Sequence, residues 1–358
     1  KSLSQIRNPL NPGSDSAVYV RAILIDKKGN YWLSISNPDY RIYRFDMTFR
    51  LVKEYPPVPP VYKGRSESLL RKIHEDRFGN IWVSSSQRGL LKYVPESDEF
   101  IYFRNDVYLP NSLASDNINY IFEDREGGLW LGTEGYGADR FYPAKNFFKS
   151  IQVSAQQKIS ILHNWCRAAC QDSTGNIWLG SGLGLTRYLK GQDTVIHYRN
   201  ISNDRKVLHS SSIRSLATDR KGTVWIGTSD GLNSFDPVTG RFQFWDKKHG
   251  IPSIFVWTLL IDKEGVLWAG GNAGIYRFDA TRRRFENFEK DSLLAPYHRQ
   301  TFRRIWQDSK GRYWLAANDL FLYEPAEKRI RKITLINRSS KMPLAELVTD
   351  FAEESNGK

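Results

Sequence analysis

The sequence predicts an all-β protein, a seven-bladed β-propeller with four antiparallel strands in each blade. The first observation is the motif Asp-x-x-Gly-x-x-Trp, which recurs along the 358-residue chain at intervals of 43 to 50 residues. The second is that short apolar stretches and glycine turns surround each copy, as expected for four short strands per repeat. The blades are centred on Trp32, Trp82, Trp130, Trp178, Trp225, Trp268 and Trp314. Stacked repeats of this kind bury a core between neighbours, so we expect a single domain over residues 1–358.

Each repeat has four elements in a constant order. An apolar first strand, such as residues 118–122, leads into the Asp-x-x-Gly turn, where Asp can bond its own backbone and glycine supplies a positive φ. The second strand carries the tryptophan, and the fourth, such as residues 241–245, is more polar. The third strand contains an aromatic residue, which is Phe45, Tyr93, Phe141, Tyr188, Phe235, Phe278 or Tyr323.

A small residue stands two positions after each motif tryptophan. The seven are Ser34, Ser84, Gly132, Gly180, Gly227, Gly270 and Ala316. We expect these residues to let neighbouring blades approach each other closely near the axis. The tryptophan, the third-strand aromatic and the first strand should then be buried between blades.

Both ends of the sequence resemble parts of a blade. Residues 4–8 resemble a fourth strand, and residues 347–357 resemble the opening of an eighth repeat, with Glu354 at the Asp position. We therefore interpret residues 1–17 and 340–358 as stubs of flanking blades from a longer array. Either stub could instead complete a blade of this propeller, and the sequence leaves both alternatives open.

The composition excludes several classes of protein. The net charge is +13, but the basic cluster at residues 328–332 lies on a predicted outer strand, and no nucleic-acid-binding motif occurs, so we expect no nucleic acid partner. No apolar run approaches the ~20 residues of a membrane helix, and we expect no membrane contact by this chain itself. Cys166 and Cys170 would lie about 13 Å apart on one strand, beyond disulfide reach, and are expected to be buried thiols.

The repeat resembles the two-component regulator propeller repeat. The clearest copies are DSTGNIWLGS at residues 172–181, followed by GLTRY, and DRKGTVWIGT at residues 219–228, followed by GLNSF. The resemblance covers the whole chain. The first blade departs from the pattern in a loop at residues 37–40, and the seventh has Asp319 and Leu320 in place of the Gly-Leu pair. Neither departure affects the expected fold.

The resemblance implies a sensor. In that family such arrays are the periplasmic region of hybrid two-component system histidine kinases, in which oligosaccharide binding induces polysaccharide-degrading enzymes. It implies that this chain detects an oligosaccharide, that neighbouring propeller and signalling domains of the parent protein are its partners, and that kinase activity lies outside it. A homodimer is an open alternative. No cofactor is expected.

The strongest candidate for ligand contact is a first-strand position five residues before each motif Asp. The residues at this position are Arg21, Arg71, Asn119, Arg167, Arg214, Trp257 and Arg303. Equivalent positions in a propeller surround the axis, so these arginines would focus positive potential there, and planar guanidinium groups suit carboxylate or sulfate. We therefore predict an oligosaccharide ligand that is acidic. The alternative is that arginine is a structural feature of the blade, paired with the adjoining blade.

Residues that break the repeat are further candidates. Trp257 replaces the arginine, Trp165 and Phe255 share an offset just before that position, and Tyr136 lies in the glycine-rich loop 132–137. Aromatic rings beside polar loops suit stacking on a sugar, although packing between blades is an alternative explanation. The loops between second and third strands should share this face through Asn37, Arg88, Glu134, Asp230, Asn272 and Asn318.

The sequence supports neither a metal site nor a catalytic site. The six histidines lack metal-ligand spacing, and the Asp-x-x-Gly turns lack the alternating oxygen ligands of calcium loops. His163 and His298 could reach the rim. We therefore expect a binding protein. Two alternatives stay open: a polysaccharide lyase or glycoside hydrolase propeller, with Glu134 and Asp230 as the nearest acids, and a protein-interaction or spacer propeller that mediates receptor dimerisation.

Overall fold

The computed structural model describes most of the chain. The described residues are 20–35, 41–48, 50–55, 70–106, 108–109, 111–142, 147–151, 161–192, 194–200, 208–252, 255–288, 293–297, 299–317, 319–333 and 350–352. The chain divides into two compact units. The first consists of residues 1–104 and 306–358, and the second of residues 105–305.

The structure is built almost wholly from strands. In the first half they are β1 (Val20–Ile25), β2 (Tyr31–Ile35), β3 (Ile42–Phe45), β4 (Leu51–Tyr55), β5 (Leu70–Glu75), β6 (Ile81–Ser85), β7 (Leu90–Val94), β8 (Glu99–Phe103), β9 (Ile118–Glu123), β10 (Leu129–Thr133), β11 (Ala138–Tyr142), β12 (Phe147–Ile151), β13 (Cys166–Gln171) and β14 (Ile177–Ser181). In the second half they are β15 (Leu185–Leu189), β16 (Thr194–Tyr198), β17 (Ile213–Thr218), β18 (Val224–Thr228), β19 (Leu232–Asp236), β20 (Arg241–Trp245), β21 (Val256–Ile261), β22 (Leu267–Gly271), β23 (Gly274–Asp279), β24 (Arg284–Asn287), β25 (Arg304–Gln307), β26 (Tyr313–Ala316), β27 (Leu320–Glu324), β28 (Arg329–Ile333) and β29 (Asp350–Ala352).

Consecutive strands pair in groups of four, and the described residues contain seven such sheets. The fold is therefore the predicted all-β, seven-bladed β-propeller with four antiparallel strands per blade. Two short 3-10 helices, Lys247–His249 and Ala295–Tyr297, are the only helices in the described residues. In that same part of the chain, no helix has the length and apolarity needed to cross a membrane. That the blades form a single domain stays a prediction.

The motif Asp organises the hairpin between the first and second strands. In the fourth blade, Asp172 Oδ1 accepts hydrogen bonds from the backbone N–H groups of Thr174 at 3.0 Å and Asn176 at 2.9 Å. Gly175 closes the turn with a φ of 90°, a conformation that a side chain disfavours. The Asp carboxylate is thus occupied by N–H donors, and the Asp-x-x-Gly segment is a hairpin turn, as predicted.

Six of the seven motif tryptophans are buried and Trp314 is half-buried, and two of the buried ones illustrate the contact with the next blade. The Trp178 ring lies 5.1 Å from Phe235, the third-strand aromatic of the next blade, and Arg187 of its own third strand lies 5.1 Å from the ring. Trp130 and Tyr188 repeat the contact at 5.7 Å. Aromatic pairs in these arrangements supply large apolar burial. The predicted core between blades is confirmed for these pairs.

The small residue after the tryptophan permits close packing. A Cβ atom on Gly180 would lie 2.5 Å from Cγ2 of Ile213 in the next blade, and one on Gly132 would lie 3.0 Å from the carbonyl oxygen of Cys166. Real Cβ atoms do not make the first of these contacts. The expected close approach of neighbouring blades is therefore found at these positions.

The C-terminal segment adds to the first sheet. Strand β29 pairs in parallel with β1, and Phe351 lies opposite Ile23, so the first sheet has five strands. Residues 1–17, 340–349 and 353–358 lie outside the described residues. The interpretation of both ends as stubs of flanking blades stays a prediction.

Candidate ligand-binding site

The candidate position on the first strand is the extra residue of a β-bulge. In the fourth blade Cys166 lies opposite Ser181 and Ala168 lies opposite Gly180, so Arg167 has no residue opposite it. The same irregularity, in the sheets of the first six blades, falls at Arg21, Arg71, Asn119, Arg167, Arg214 and Trp257. A bulge releases one residue from the ladder and redirects its side chain. Six of the seven candidates therefore occupy structurally equivalent positions.

Serine supports the bulge in two blades. The Ser34 hydroxyl accepts a hydrogen bond from the N–H of Ala22 at 3.0 Å, and the Ser84 hydroxyl accepts one from the N–H of Lys72 at 3.1 Å. Both N–H groups belong to the residue directly after the bulge. The small residue after the tryptophan thus has a second role, as a hydrogen-bond partner, that its size alone did not predict.

Six side chains of the second unit form what we call the arginine–aromatic row. Its members are Trp165, Arg167, Arg214, Phe255, Trp257 and Arg303. The row contains three guanidinium groups and three aromatic rings, and each guanidinium lies against at least one of the rings. It runs from the fourth blade to the segment before β25.

Arg167 forms one end of the row together with Trp165. The guanidinium carbon lies 5.5 Å from the Trp165 ring centroid, and Nη1 donates to the Ser212 hydroxyl at 3.4 Å. Gly182, in the loop between β14 and β15, leaves space here, since a Cβ atom on it would stand 3.9 Å from both terminal nitrogens of Arg167. The Arg167 guanidinium therefore lies against the Trp165 indole and beside the loop that contains Gly182.

Arg214 and Arg303 contact a pair of rings in the sixth blade. The Arg214 guanidinium carbon lies 4.5 Å from the Phe255 centroid and 5.5 Å from the Trp257 centroid. Arg303 lies 5.2 Å from the Trp257 centroid, and the two rings are 4.3 Å apart. Cation–π contacts of this kind stabilise an arginine without neutralising its charge.

The row carries positive charge without acidic partners. Among the described residues, no carboxylate forms an ion pair with Arg167, Arg214 or Arg303. Arg214 Nε is buried, and no hydrogen-bond partner for it is found in that part of the chain. Burial, and then the positive charge of Arg167, lower the pKa of Arg214. Guanidinium groups nevertheless remain charged at neutral pH, so an anion would be favoured here.

Two aromatic candidates remain open to a ligand. Trp257 is half-buried, and two guanidinium groups and Phe255 lie against it. Its ring therefore packs between blades and holds the arginines in place. By contrast Trp165 is 38% exposed and Tyr136 is 52% exposed. These two rings are the ones that a sugar could cover.

The remaining candidate residues lie outside the arginine–aromatic row. Arg21 and Arg71 belong to the first unit, where each is the half-buried extra residue of its bulge. Asn119 is in the second unit, and its Oδ1 is buried without a hydrogen-bond partner among the described residues. The contacts that define the row include neither Asn119 nor Tyr136.

The loops between second and third strands lie on the same face as the bulges. The N–H of Glu134 donates to the Asn117 carbonyl at 2.9 Å, and the N–H of Asn272 donates to the Phe255 carbonyl at 3.2 Å. Asn117 and Phe255 stand two residues before their bulges, which places these loops beside the candidate positions.

Other rim candidates have varied surroundings. Asp230 lies 3.4 Å from Nε2 of His209, and Arg88 is buried. The Nδ1 atom of His163 accepts a hydrogen bond from the Trp165 N–H at 3.2 Å. Asn37, Asn318 and His298 lie outside the described residues.

The cysteines are buried free thiols on β13, as predicted. Desolvation and the negative charge of Asp139 raise the pKa of Cys166 to about 12, and burial also raises the pKa of Cys170. In the described part of the chain, no group of three or more His, Cys, Asp or Glu side chains is arranged to hold a metal ion.

The protein is a β-propeller whose second unit carries a row of arginine and aromatic side chains as its candidate site. Two segments, residues 112–135 and 208–230, match the family model described as two component regulator propeller. They contain the motif copies of the third and fifth blades. The two segments therefore match two-component regulator propeller repeats, and the predicted repeat type is confirmed for these copies. In sequence, no curated protein matches this chain.

Solved structures with the same fold come from several kinds of protein. The extracellular domain of BT3049, described as a hybrid two component system of B. thetaiotaomicron, is similar with a TM-score of 0.64 and 22% identity, over 84% of this chain and 39% of that one. A catalytically inactive virginiamycin B lyase from Staphylococcus aureus with quinupristin has a TM-score of 0.59 and 12% identity, over 85% and 93%. YCF48 from Cyanidioschyzon merolae has a TM-score of 0.57 and 12% identity, over 87% and 97%.

At these identities the structural similarity shows the fold alone. The present chain spans about two-fifths of the length of the B. thetaiotaomicron domain.

Proposed function

We propose that this propeller is a periplasmic ligand-sensing part of a hybrid two-component sensor histidine kinase that regulates polysaccharide utilisation. In this proposal it binds an oligosaccharide and catalyses no reaction on it. The observation that carries the proposal is the arginine–aromatic row, which combines unpaired cations with an exposed indole on one face of the second unit.

The chemistry of the row suits a sugar. A pyranose has an apolar face that can cover an aromatic ring, and Trp165 is the exposed ring of the row. Its hydroxyl groups need hydrogen-bond donors, which Arg167 supplies beside that ring through its outer N–H groups. Trp257 then acts indirectly, because it holds Arg214 and Arg303 in place.

The comparisons support the sensor setting. The match to regulator propeller repeats connects the chain with two-component systems, and the similar B. thetaiotaomicron structure is an extracellular domain. Because the chain spans 39% of that domain, neighbouring propeller and signalling domains would be its partners in a parent protein. Kinase activity and membrane attachment would then reside in those other parts. A homodimer of the parent protein is also part of the proposal.

A calorimetric titration with a panel of neutral and acidic oligosaccharides tests the proposal. Trp165→Ala should weaken binding of any sugar that binds by about three- to tenfold, the value of one aromatic contact. Phe78→Ala is the matched control, because Phe78 is an exposed aromatic on an Asp-x-x-Gly turn. A panel without a binder, or equal effects of the two substitutions, would contradict the proposal. Release of cleaved sugar during the titration would support the enzyme alternative instead.

A further inference from the structure

We propose that Arg167, Arg214 and Ser212 form one anion subsite, which binds a single sulfate or carboxylate group of the ligand. The subsite specifies the proposed function further, since it makes the ligand an acidic oligosaccharide. That the ligand is a sugar rests on the proposed function, whereas binding of the anionic group does not.

The subsite joins two like charges from neighbouring blades. Arg167 belongs to the fourth blade and Arg214 to the fifth, and burial, followed by the positive charge of Arg167, lowers the pKa of Arg214. The Ser212 hydroxyl accepts the hydrogen bond from Arg167 Nη1 at 3.4 Å, and Ser212 stands two residues before Arg214, so Arg167 reaches the start of the strand that carries Arg214. Like charges at short range are destabilising unless an opposite charge lies between them. Among the described residues no carboxylate provides that charge.

Each guanidinium of the subsite packs against an aromatic ring. The guanidinium carbon of Arg167 lies 5.5 Å from the Trp165 centroid, and that of Arg214 lies 4.5 Å from the Phe255 centroid. The N–H groups of a guanidinium lie in its plane, where they bind carboxylate or sulfate by two parallel hydrogen bonds. Fixing the side chains in advance reduces the entropy lost on binding.

The subsite has open space beside Arg167. Gly182 stands where a side chain would approach the terminal nitrogens of Arg167 at 3.9 Å, so the loop leaves those donors uncovered. The Ser212 hydroxyl is half-buried and adds a further donor beside them. Two planar cations and one hydroxyl make a site of the size and charge of one sulfate or carboxylate group.

The test uses inorganic sulfate as the probe, because it contains the anion without the sugar. Thermal unfolding is compared in sodium sulfate and in sodium chloride at equal ionic strength for the chain and for Arg167→Gln, Arg214→Gln and Arg241→Gln. Arg241 lies exposed on β20, outside the row, and is the matched control. Sulfate stabilises proteins in general by exclusion, so the difference between variants is the measurement.

The subsite predicts that sulfate raises the midpoint temperature of the chain and of Arg241→Gln by the same amount. The two variants of the subsite should each lose the extra part of this rise. A further variant combines Arg167→Gln with Arg214→Gln. Because the two arginines bind one anion together, this double variant should lose no more of the rise than either single variant. Equal sulfate effects in all variants would overturn the subsite.

A second measurement separates the subsite from the proposed function. Calorimetry compares neocarrabiose 4-sulfate with its desulfated form, and digalacturonate with its methyl ester. Both proposals are supported if the acidic member of a pair binds about tenfold more tightly than its neutral partner and if Arg214→Gln abolishes that difference in affinity. Equal binding of acidic and neutral members overturns the subsite and leaves the sensor proposal standing. A specific sulfate effect without binding of any oligosaccharide supports the subsite and counts against the sensor proposal.

Discussion

Trp178 Nε1 donates a hydrogen bond to Asp172 Oδ2 at 2.9 Å, across the hairpin that the Asp itself organises. All seven copies of the motif make this bond, at distances from 2.7 to 3.2 Å. The bond gives the six-residue spacing of the motif a physical reason, because a buried indole N–H needs an acceptor. One carboxylate therefore fixes both the turn and the side chain that fills the space between blades.

Asp172→Asn should destabilise the protein by about 1–3 kcal/mol, because it leaves the buried Trp178 N–H without its charged acceptor. Urea unfolding followed by circular dichroism provides the measurement. Asp236→Asn is the control, since Asp236 also caps a turn, is only half-buried and contacts no tryptophan in the described residues. Similar losses in both variants would show that turn capping, and not the Asp–Trp bond, accounts for the effect.

Gly180→Ala should destabilise the protein by about 1–3 kcal/mol, since its Cβ would meet Ile213 Cγ2 at 2.5 Å and force two blades apart. Gly182→Ala, two residues later, should be tolerated because its nearest neighbours lie at 3.9 Å. Thermal unfolding of the two variants provides a comparison within one blade. A stable Gly180→Ala variant would contradict the close approach of the blades.

The stability of the first unit should fall at acidic pH, because the Asp98 carboxylate becomes protonated there. Its carboxylate accepts hydrogen bonds from the hydroxyls of Tyr55 at 2.8 Å and Tyr93 at 2.7 Å, and lies 3.0 Å from Lys53 Nζ. Desolvation would raise the pKa of Asp98, but the hydrogen bonds and positive charges outweigh it and lower that pKa to about 2. The stabilisation is therefore complete above the unfolded-state pKa of ~3.9 and is lost as the pH falls towards 2.

Thermal unfolding between pH 2 and pH 6 measures this contribution. Asp98→Asn should have a flatter pH dependence than the unmodified chain in this window, and the two should differ most at its upper end. Glu96→Gln, which changes an exposed neighbouring carboxylate, should leave the pH profile unchanged. An Asp98→Asn profile parallel to that of the unmodified chain would rule out this contribution.

The thiols of Cys166 and Cys170 should be unreactive towards a disulfide reagent in the folded protein and react fully in urea. The thiolate is the reactive form, and burial raises the pKa of both groups. Ser173→Cys places a third thiol on an exposed turn and should react at once. Rapid reaction of the native cysteines would contradict their burial on β13.

The order of turns and strands within a blade was predictable because it depends on local sequence. The Asp-x-x-Gly turn, the tryptophan strand and the third-strand aromatic each depend on residues close in sequence, and the structure confirms them. The bulge on the first strand was not predicted, although it leaves a signal. Leu70 and Ile73 are both buried, as are Ile118 and Ile121, at spacings of three residues instead of two. One extra residue between two inward positions accounts for that spacing.

The sequence by itself determined the number of blades, the order of their strands and the candidate positions for ligand contact, since the same motif with its flanking strands occurs seven times. Only the tertiary structure decided how the candidates divide their roles. It placed Trp257 in packing against Arg214 and Arg303, left Trp165 exposed, and brought Ser212 to Arg167 across 45 residues of chain. Such contacts depend on how one blade faces the next, and residues from separate repeats meet there without any pattern along the chain.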